Sequence, residues 1–456
     1  MLVVLASAAT LAAVNWWDAP PSAAALRITR QLQAPRPPQP APADNGYLWL
    51  LGLYAPEGAS PVAWGEEHAR QLRTVAEARH RVSSPGGIRP PTEAPEPDAA
   101  LQAADARLAE FAKEPGDAPW CRPELAPCLV DRAARRDELA ARRTAQAPFL
   151  SRALQMQGSP AFEETYLALD LDSPSSPLKG LGNAQQAVFL EAAHRAETAD
   201  LASAADLLRG DALFQRRVLS GTRELVTKMV ANAQLTRNLL FARELLTLHA
   251  APPDTVARYL EGVSVPLTTA EFTLAPSLAT EAQLSQRVLA ELPASQQLGG
   301  WDRVKFRLVY QPQRTINCQH DGMAPLFDLD RQPAAKYRQG LAAYLQLSEA
   351  RSQVPWHALV VNPMGRILCG IAAPNLGLHI GRQHDLETLR RATVLALSAG
   401  RGASPAIVQA SRLPAFENPY TEQPFEIDEA NRLIRFEAGA PRQNSEPANG
   451  VVSVPY

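Results

Sequence analysis

The chain has 456 residues, 46% of them hydrophobic, and is therefore long enough for two or three domains around a large core. Its 45 basic and 47 acidic residues leave a net charge of −2, whereas a dedicated nucleic-acid-binding protein shows a basic surplus. We therefore expect no nucleic-acid partner. The 40 prolines lack the backbone N–H that helices and sheets use, so they predict a chain divided into short elements.

The amino-terminal residues 1–17, MLVVLASAATLAAVNWW, are apolar or small apart from one asparagine. A membrane-spanning helix needs about 20 apolar residues, and the apolar part of a signal peptide needs about 7–15. This segment lies between the two lengths and ends at a tryptophan pair, a residue type that favours the membrane–water interface. We expect a retained single-pass membrane anchor, with a cleaved signal peptide and a buried core helix as the alternatives.

Residues 18–44 are rich in proline, with PRPPQPAP at 35–42, and predict an extended spacer between the anchor and a soluble body. The first basic residues of this segment are Arg27, Arg30 and Arg36. They would lie in the cytoplasm if the positive-inside rule decided the orientation. The spacer and the cysteines described below favour the opposite orientation. We therefore expect an inner-membrane protein with its body in the periplasm.

Residues 45–300 show the 3.6-residue periodicity of amphipathic helices and predict a mainly helical domain. The apolar run NGYLWLLGLYA at 45–55 is too short to span a membrane and is expected in the core. The clearest helical face recurs at i, i+4, i+7 and i+11 and consists of Leu235, Leu239, Ala242 and Leu246. Further helices are predicted at 64–82, at 99–114, at 129–157 with a break at Pro148, at 183–250 and at 267–292.

Residues 301–437 predict a mixed region, and residues 438–456 predict a flexible tail. A strand is predicted at Val304–Tyr310, and helices are predicted at 334–350, at 363–372 and at 385–399, the last capped by Asp385. The Asn362-Pro363 pair is typical of a helix start. Two strands around a turn would also explain the segment 363–372.

A small β-hairpin is predicted near the carboxyl terminus. Phe425 and Ile427, then Ile434 and Phe436, alternate with polar residues on the two sides of a predicted turn. The predicted fold class is therefore mainly α (α+β), a helical array or bundle with a small C-terminal β-hairpin element.

The four cysteines, Cys121, Cys128, Cys318 and Cys369, predict two disulfide bonds. Cys121 and Cys128 enclose the six residues RPELAP, whose two prolines restrict the loop and make a local bond easy to close. Cys318 can pair with Cys369, although separation in sequence does not show distance in space. Such bonds typically contribute about 2–4 kcal/mol and persist in oxidising compartments. Four buried, reduced thiols are the alternative.

No strong catalytic motif is present: the sequence has no G-x-S-x-G, no H-E-x-x-H and no Walker A loop. Two polar clusters, at 313–321 and 378–385, can line one cleft if the second disulfide brings them together. A histidine beside a carboxylate can act as a general base, and an arginine can hold an anion. The candidate cleft residues are His320, Asp321, His379, Arg382 and His384.

The alternative for these two clusters is a network of caps and ion pairs with no chemical role. The spacing of the three histidines matches no known metal signature. We therefore expect no metal and no cofactor.

Three phrases carry a resemblance to a group of proteins: DNGYLWLLGLYAPEG at 44–58, NPMGRILCGIAAPN at 362–375 and ENPYTEQPFEID at 417–428. In these phrases the chain resembles uncharacterised single-span, mostly helical envelope proteins of Gram-negative bacteria, and the resemblance extends over most of its length. It implies an anchored helical body. Because the group has no assigned activity, the resemblance assigns no functional residue.

These patterns predict a membrane-anchored extracytoplasmic protein that acts by binding another protein or cell-envelope material. The alternative is an envelope hydrolase or transferase that uses the His/Asp/Arg cleft. A structural subunit of a larger membrane complex is a third hypothesis. Geometry discriminates between them, because an enzyme needs the candidate side chains in one pocket, whereas a structural subunit would leave a broad apolar patch exposed.

Overall fold

The computed structural model describes residues 15–33, 38–83, 99–111, 119–130, 132–168, 173–295, 299–353, 360–371, 376–399, 404–439 and 451–456. Residues 1–14, most of the predicted anchor, lie outside the described residues. The first helices are α1 (Ala23–Leu32), α2 (Gly46–Leu51), α3 (Pro61–Ser83), α4 (Ala99–Phe111), α5 (Arg136–Ala145), α6 (Ala147–Gly158), α7 (Lys179–Glu197), α8 (Leu201–Gly221) and α9 (Leu225–Leu248).

The second part of the chain contains the remaining helices and all of the described strands. The helices are α10 (Pro253–Leu260), α11 (Thr269–Phe272), α12 (Ala275–Ser295), α13 (Gly300–Val309), α14 (Pro312–Leu329), α15 (Ala334–Ser352), α16 (Pro363–Ile371), α17 (Gly377–Ser398) and α18 (Ser404–Ser411). The strands are β1 (Glu417–Asn418), β2 (Gln423–Pro424), β3 (Glu426–Asp428), β4 (Leu433–Glu437) and β5 (Val451–Pro455). The predicted fold class, mainly α with a small C-terminal β element, is confirmed.

The larger hydrophobic core surrounds α9, which packs against α7, α8 and α17. The face predicted on this helix is confirmed, since Leu235, Leu239, Ala242 and Leu246 are each at most 2% exposed. Burial of one leucine side chain stabilises a protein by about 1.5–3 kcal/mol. The apolar face of α9 therefore accounts for its central position.

A second hydrophobic core lies between α1, α12, α14, α15 and the start of α17. Two glycines one turn apart on α17 allow α15 to approach closely. A Cβ atom at Gly381 would collide with the hydroxyl of Tyr337, and one at Gly377 would lie 2.8 Å from Leu341. The Tyr337 hydroxyl instead donates a hydrogen bond to the Gly377 carbonyl at 2.9 Å. The small residues therefore determine how α15 and α17 cross.

The predicted hairpin is confirmed and is extended by a third strand. β3, β4 and β5 form an antiparallel sheet in which Ile434 pairs with Ile427 and with Val454. Residues 440–450 of the predicted tail lie outside the described residues, but the prediction of a flexible tail is wrong for 451–455, which form β5. The reason is the alternation of buried Val452 and Val454, which matches the pleat of β4 and packs against α17.

The strand predicted at Val304–Tyr310 is wrong, because these residues belong to α13 and its carboxyl end. A segment of seven residues is too short for its hydrophobic pattern to separate a strand from a helix. The neighbours decide the conformation here, since α13 packs against α12 and α16.

The start of α17 and the conformation of the predicted spacer also differ from the prediction. α17 begins at Gly377 rather than at Asp385, so Asp385 is a residue of the helix and not its cap. Its carboxylate accepts hydrogen bonds from the Tyr420 hydroxyl at 2.6 Å and from Gly439 N at 2.7 Å. Within the predicted spacer 18–44, α1 forms because Ser22 caps it and Ala25 and Ile28 are buried against the body. An amphipathic face thus prevails locally over the proline content around it.

Both predicted disulfide bonds, Cys121–Cys128 and Cys318–Cys369, are present. The second joins α14 to α16, which are also in direct contact. A search of the described helices finds none with the length and apolar composition that a bilayer crossing requires.

Candidate functional site

The five predicted cleft residues occupy two helices and different depths. His320 is fully buried on α14, where desolvation lowers the pKa of its imidazole against the opposing effects of the Ala282 backbone and Asp321. The next residue, Asp321, is exposed and accepts a hydrogen bond from the Ser22 hydroxyl at 3.0 Å. His320 and Asp321 are thus neighbours in sequence that face different environments.

His384 lies inside an aromatic cluster on α17. The rings of Phe272, Tyr337 and Tyr420 lie 4.8, 5.1 and 6.1 Å from its imidazole. Burial lowers the pKa of His384 to about 4, so the ring is neutral near pH 7. Its environment is that of a core side chain.

His379 and Arg382 lie on the same helix but nearer the surface. His379 is half-buried, and its pKa is lowered by burial and by the charge of Arg382. Arg382 is exposed, and its carbonyl accepts a hydrogen bond from Asn232 at 3.0 Å. Among the described residues, no group of three or more His, Cys, Asp or Glu side chains is arranged to hold a metal ion.

A polar pocket of about 190 Å³ lies beside the second disulfide and includes one of the five candidates, Asp321. We call it the Arg314–Arg366 pocket. Its lining residues include Arg314, Asn317, Asp321, Val361, Asn362 and Arg366. The pocket brings together guanidinium, amide and carboxylate groups, which can bind a small ligand that carries both charges.

The pocket residue Asn362 and the buried Asn15 join the segments around this pocket through their side-chain amides. Asn362 has a φ of 54°; its Oδ1 accepts from Gln311 N at 2.8 Å, and its Nδ2 donates to Thr315 Oγ1 at 3.0 Å. Asn15 Oδ1 in turn accepts from Asn362 N at 2.8 Å, and Asn15 Nδ2 donates to Val360 O at 2.9 Å. The predicted helix after Pro363 is confirmed. The hydrogen bonds of the Asn362 side chain described above go to Gln311 and Thr315, at the start of α14.

The amino-terminal segment crosses α14 next to the pocket. Asp18 accepts hydrogen bonds from the first free N–H groups of that helix, Gln313 N at 2.7 Å and Arg314 N at 2.9 Å. A carboxylate at a helix amino terminus contributes about 0.3–1 kcal/mol. Asn317 Nδ2 donates to Pro20 O at 2.8 Å, and Ser22 N donates to Asn317 Oδ1 at 2.9 Å. Together with α1, these bonds attach the segment to the body.

A second polar feature lies in the larger core, away from all of the predicted site residues. Asp211 is fully buried, and its carboxylate accepts hydrogen bonds from Gln157 at 2.9 Å, Gln185 at 2.7 Å, Gln215 at 3.3 Å and Asn238 at 2.8 Å. Burial raises the pKa of Asp211, and the amide donors oppose this effect. No sequence motif indicates this hydrogen-bond network, because polar residues on amphipathic helices are first assigned to the solvent-facing side of the helix.

A surface groove of about 480 Å³ opens above this network, between α6, α7 and α8. Gln157 belongs to both, since it lines the groove and donates to Asp211. The apolar part of the lining is Leu150, Leu154 and Leu207, and its charged part includes Glu191, Arg195 and Asp206. The groove therefore combines an apolar wall with a charged rim, as the contact regions of protein partners do.

Comparison of the chain with protein-family models, with curated proteins and with solved structures finds no match.

Proposed function

We propose that this chain is a membrane-anchored, extracytoplasmic protein whose helical body acts by binding another protein or cell-envelope material. The observation that carries the proposal is the attachment of residues 15–32 to α14 beside the Cys318–Cys369 bond. These residues directly follow the apolar run 1–14. An apolar segment that enters a lipid bilayer would thereby be coupled to the folded body.

The disulfides support the compartment. All four cysteines are paired, and disulfide bonds form and persist in oxidising environments such as the bacterial periplasm. A body outside the cytoplasm with an anchor in the inner membrane satisfies both the cysteine pairing and the apolar amino terminus.

The attachment also changes the expected reach of the protein. A free, extended spacer over 18–44 would hold the body several tens of ångströms from the membrane, at about 3.1 Å per residue. Because Asp18 and Ser22 are bonded to α14, the body would instead lie next to the bilayer, and its partner would be reached there.

The groove between α6, α7 and α8 supports binding to a protein partner. Leu154 is 37% exposed at its wall, and the Arg195–Glu191 ion pair at 2.7 Å borders it. We propose that an apolar side chain of the partner inserts between the leucines while charged groups pair at the rim. Catalysis through the predicted cleft has less support, because His320 and His384 are buried core side chains.

The test uses the tagged full-length protein in its native membranes, with a photo-crosslinker introduced next to Leu154. We expect extraction only with detergent, thiols that become reactive only after reduction, and one reproducible crosslinked protein. Leu154→Asp should abolish that crosslink, whereas Leu413→Asp, a control at a side chain 53% exposed elsewhere, should retain it. Recovery of the intact polypeptide in the cytosol with all thiols free would overturn the proposal.

A further inference from the structure

Exposed apolar side chains are concentrated around the amino-terminal segment. Of the sixteen large hydrophobic side chains that are exposed in the described part of the chain, six lie on three short segments, residues 15–17, α13 and 360–371. We call them the tryptophan face: Trp16, Trp17, Trp301, Val309, Val360 and Ile367. Trp17 and Trp301 are 71% and 70% exposed, a large solvation cost for two aromatic rings of a protein in water.

The three segments are neighbours in space. The guanidinium of Arg307 on α13 lies over the ring of Trp16, 5.4 Å from its centroid. Asn15 is hydrogen-bonded to the backbone of Val360 and Asn362, and α13 is in contact with α16. The exposed side chains therefore belong to one region of the surface, at the point where the described chain begins.

This region is basic, although the whole chain has a net charge of −2. The three segments carry Arg303, Lys305, Arg307 and Arg366 against a single acidic residue, Asp302, a local charge of 4 − 1 = +3. Tryptophans favour the headgroup level of a bilayer, and basic side chains are attracted to the phosphate groups of lipids. The combination is complementary to a lipid surface.

The Arg314–Arg366 pocket adjoins this face, because Arg366 and Val361 belong to the segment 360–371. Arg314 Nε is buried and has no hydrogen-bond partner among the described residues, and two guanidinium groups are well suited to a phosphate. Asp321 gives the pocket one carboxylate as well. A headgroup that carries a phosphate and a primary amine would match both.

Building on the proposed function, we infer that the tryptophan face lies on the bilayer surface and that the Arg314–Arg366 pocket holds the headgroup of an amine-bearing phospholipid. The phosphate would lie between Arg314 and Arg366, and the amine would face Asp321. Trp17 and Trp301 would enter the headgroup layer beside it. No covalent step is involved.

The experiment reconstitutes the full-length protein into phosphatidylcholine vesicles of fixed anionic content, with and without phosphatidylethanolamine, using brominated lipids that quench tryptophan fluorescence. We expect Trp301→Phe to remove part of the quenching. Trp64→Phe is the matched control, because Trp64 is half-buried on α3 and packs on Phe111 at 4.7 Å. The quenching should be stronger with phosphatidylethanolamine.

The pocket is tested with the double variant Arg314→Gln/Arg366→Gln. Neutralising one basic side chain at a lipid surface should lower the ratio of docked to undocked protein roughly fivefold. In the double variant this ratio should therefore fall about 25-fold, and it should no longer depend on phosphatidylethanolamine. Arg412→Gln, at another exposed arginine, should behave as wild type. Circular dichroism verifies that each variant is folded.

The outcomes separate the two proposals. Protein that does not float with any vesicle contradicts the proposed function. Protein that floats while Trp301 escapes quenching overturns the inference about the face and leaves the proposed function standing. Equal quenching with and without phosphatidylethanolamine overturns the headgroup site, as does tight binding of inorganic phosphate alone, which would identify a site for free phosphate.

Discussion

Ionisation of Glu224 should lower the free energy of unfolding of this protein as the pH rises from about 4.5 to about 7. The residue precedes α9 and lies beside Glu164, whose carboxylate accepts hydrogen bonds from Arg223 N at 2.7 Å and from Glu224 N at 3.1 Å. Burial, and secondly the negative charge of Glu164, raise the pKa of Glu224 from 4.5 to about 7. The folded state therefore holds a proton that the unfolded chain releases.

The sign follows from proton linkage. Between pH 4.5 and 7 the folded state binds more protons than the unfolded state, so the free energy of unfolding is highest below this window and decreases as the pH rises through it. At 1.36 kcal/mol for each pH unit, the change from 4.5 to about 7 amounts to roughly 3 kcal/mol. Above pH 7 this contribution is constant, because Glu224 is then ionised in both states.

The assay is urea denaturation of the wild type and Glu224→Gln at several pH values from 5 to 8. The neutral amide should remove the part of the decrease that Glu224 contributes and make the variant more stable than the wild type at pH 8, while Glu164, whose pKa is also raised by burial, retains its own part. The control Glu429→Gln, at an exposed position in the hairpin turn, should retain the wild-type pH dependence. An unchanged pH dependence in Glu224→Gln would refute the reasoning.

Three further substitutions test the packing. Gly381→Ala should lower the free energy of unfolding by about 1–3 kcal/mol, measured by urea denaturation, because its Cβ would collide with the Tyr337 hydroxyl. Cys318→Ser should lower it by about 4 kcal/mol, because the bond to Cys369 closes a loop with a sequence separation of 51; thermal unfolding before and after reduction of the wild type measures the same loss. Asp211→Asn should cost about 1–3 kcal/mol by denaturation, because an NH2 group would replace a carboxylate oxygen that accepts two hydrogen bonds.

Matched controls accompany these substitutions. Gly300→Ala places a Cβ with no atom within 4 Å and should stay within about 0.5 kcal/mol of the wild type. Asp302→Asn changes an exposed aspartate and should be similarly mild. A loss in either control equal to that in its partner would show that the close contact at Gly381 or the buried network at Asp211 is not the cause.

Local patterns predicted most helices because amphipathic periodicity is a property of neighbouring residues. The α9 face is an example, since Leu235 and Leu239 already stand on one side of an isolated helix. The break near Pro148 also follows from sequence, and this residue lies in the first turn of α6. The segment 304–310 shows the limit, because its short pattern suits two conformations and its neighbours select one.

The candidate site was harder to predict because its parts come from distant segments. The chemistry of His320 and His384 makes them candidates, but burial makes them core side chains. Asn15 is not among the candidates, although it is the one residue of the run 1–17 that is neither apolar nor small, and its amide joins residues more than 340 positions away. The interruption of the apolar run by Asn15 was the signal that the sequence offered, and it did not show which residues the Asn15 amide would contact.

By itself, the sequence determined the class of the fold, the hairpin and the local Cys121–Cys128 pair, because periodicity, turn residues and loop length act over a few residues, whereas the Cys318–Cys369 pair depends on the contact between α14 and α16. The tertiary structure alone decided that residues 15–32 lie on α14, that Asp211 is enclosed by amides, and that the tryptophan face and the Arg314–Arg366 pocket adjoin. These features depend on which surfaces meet when the helices pack. That choice minimises the free energy of the whole chain and is not encoded in any single segment.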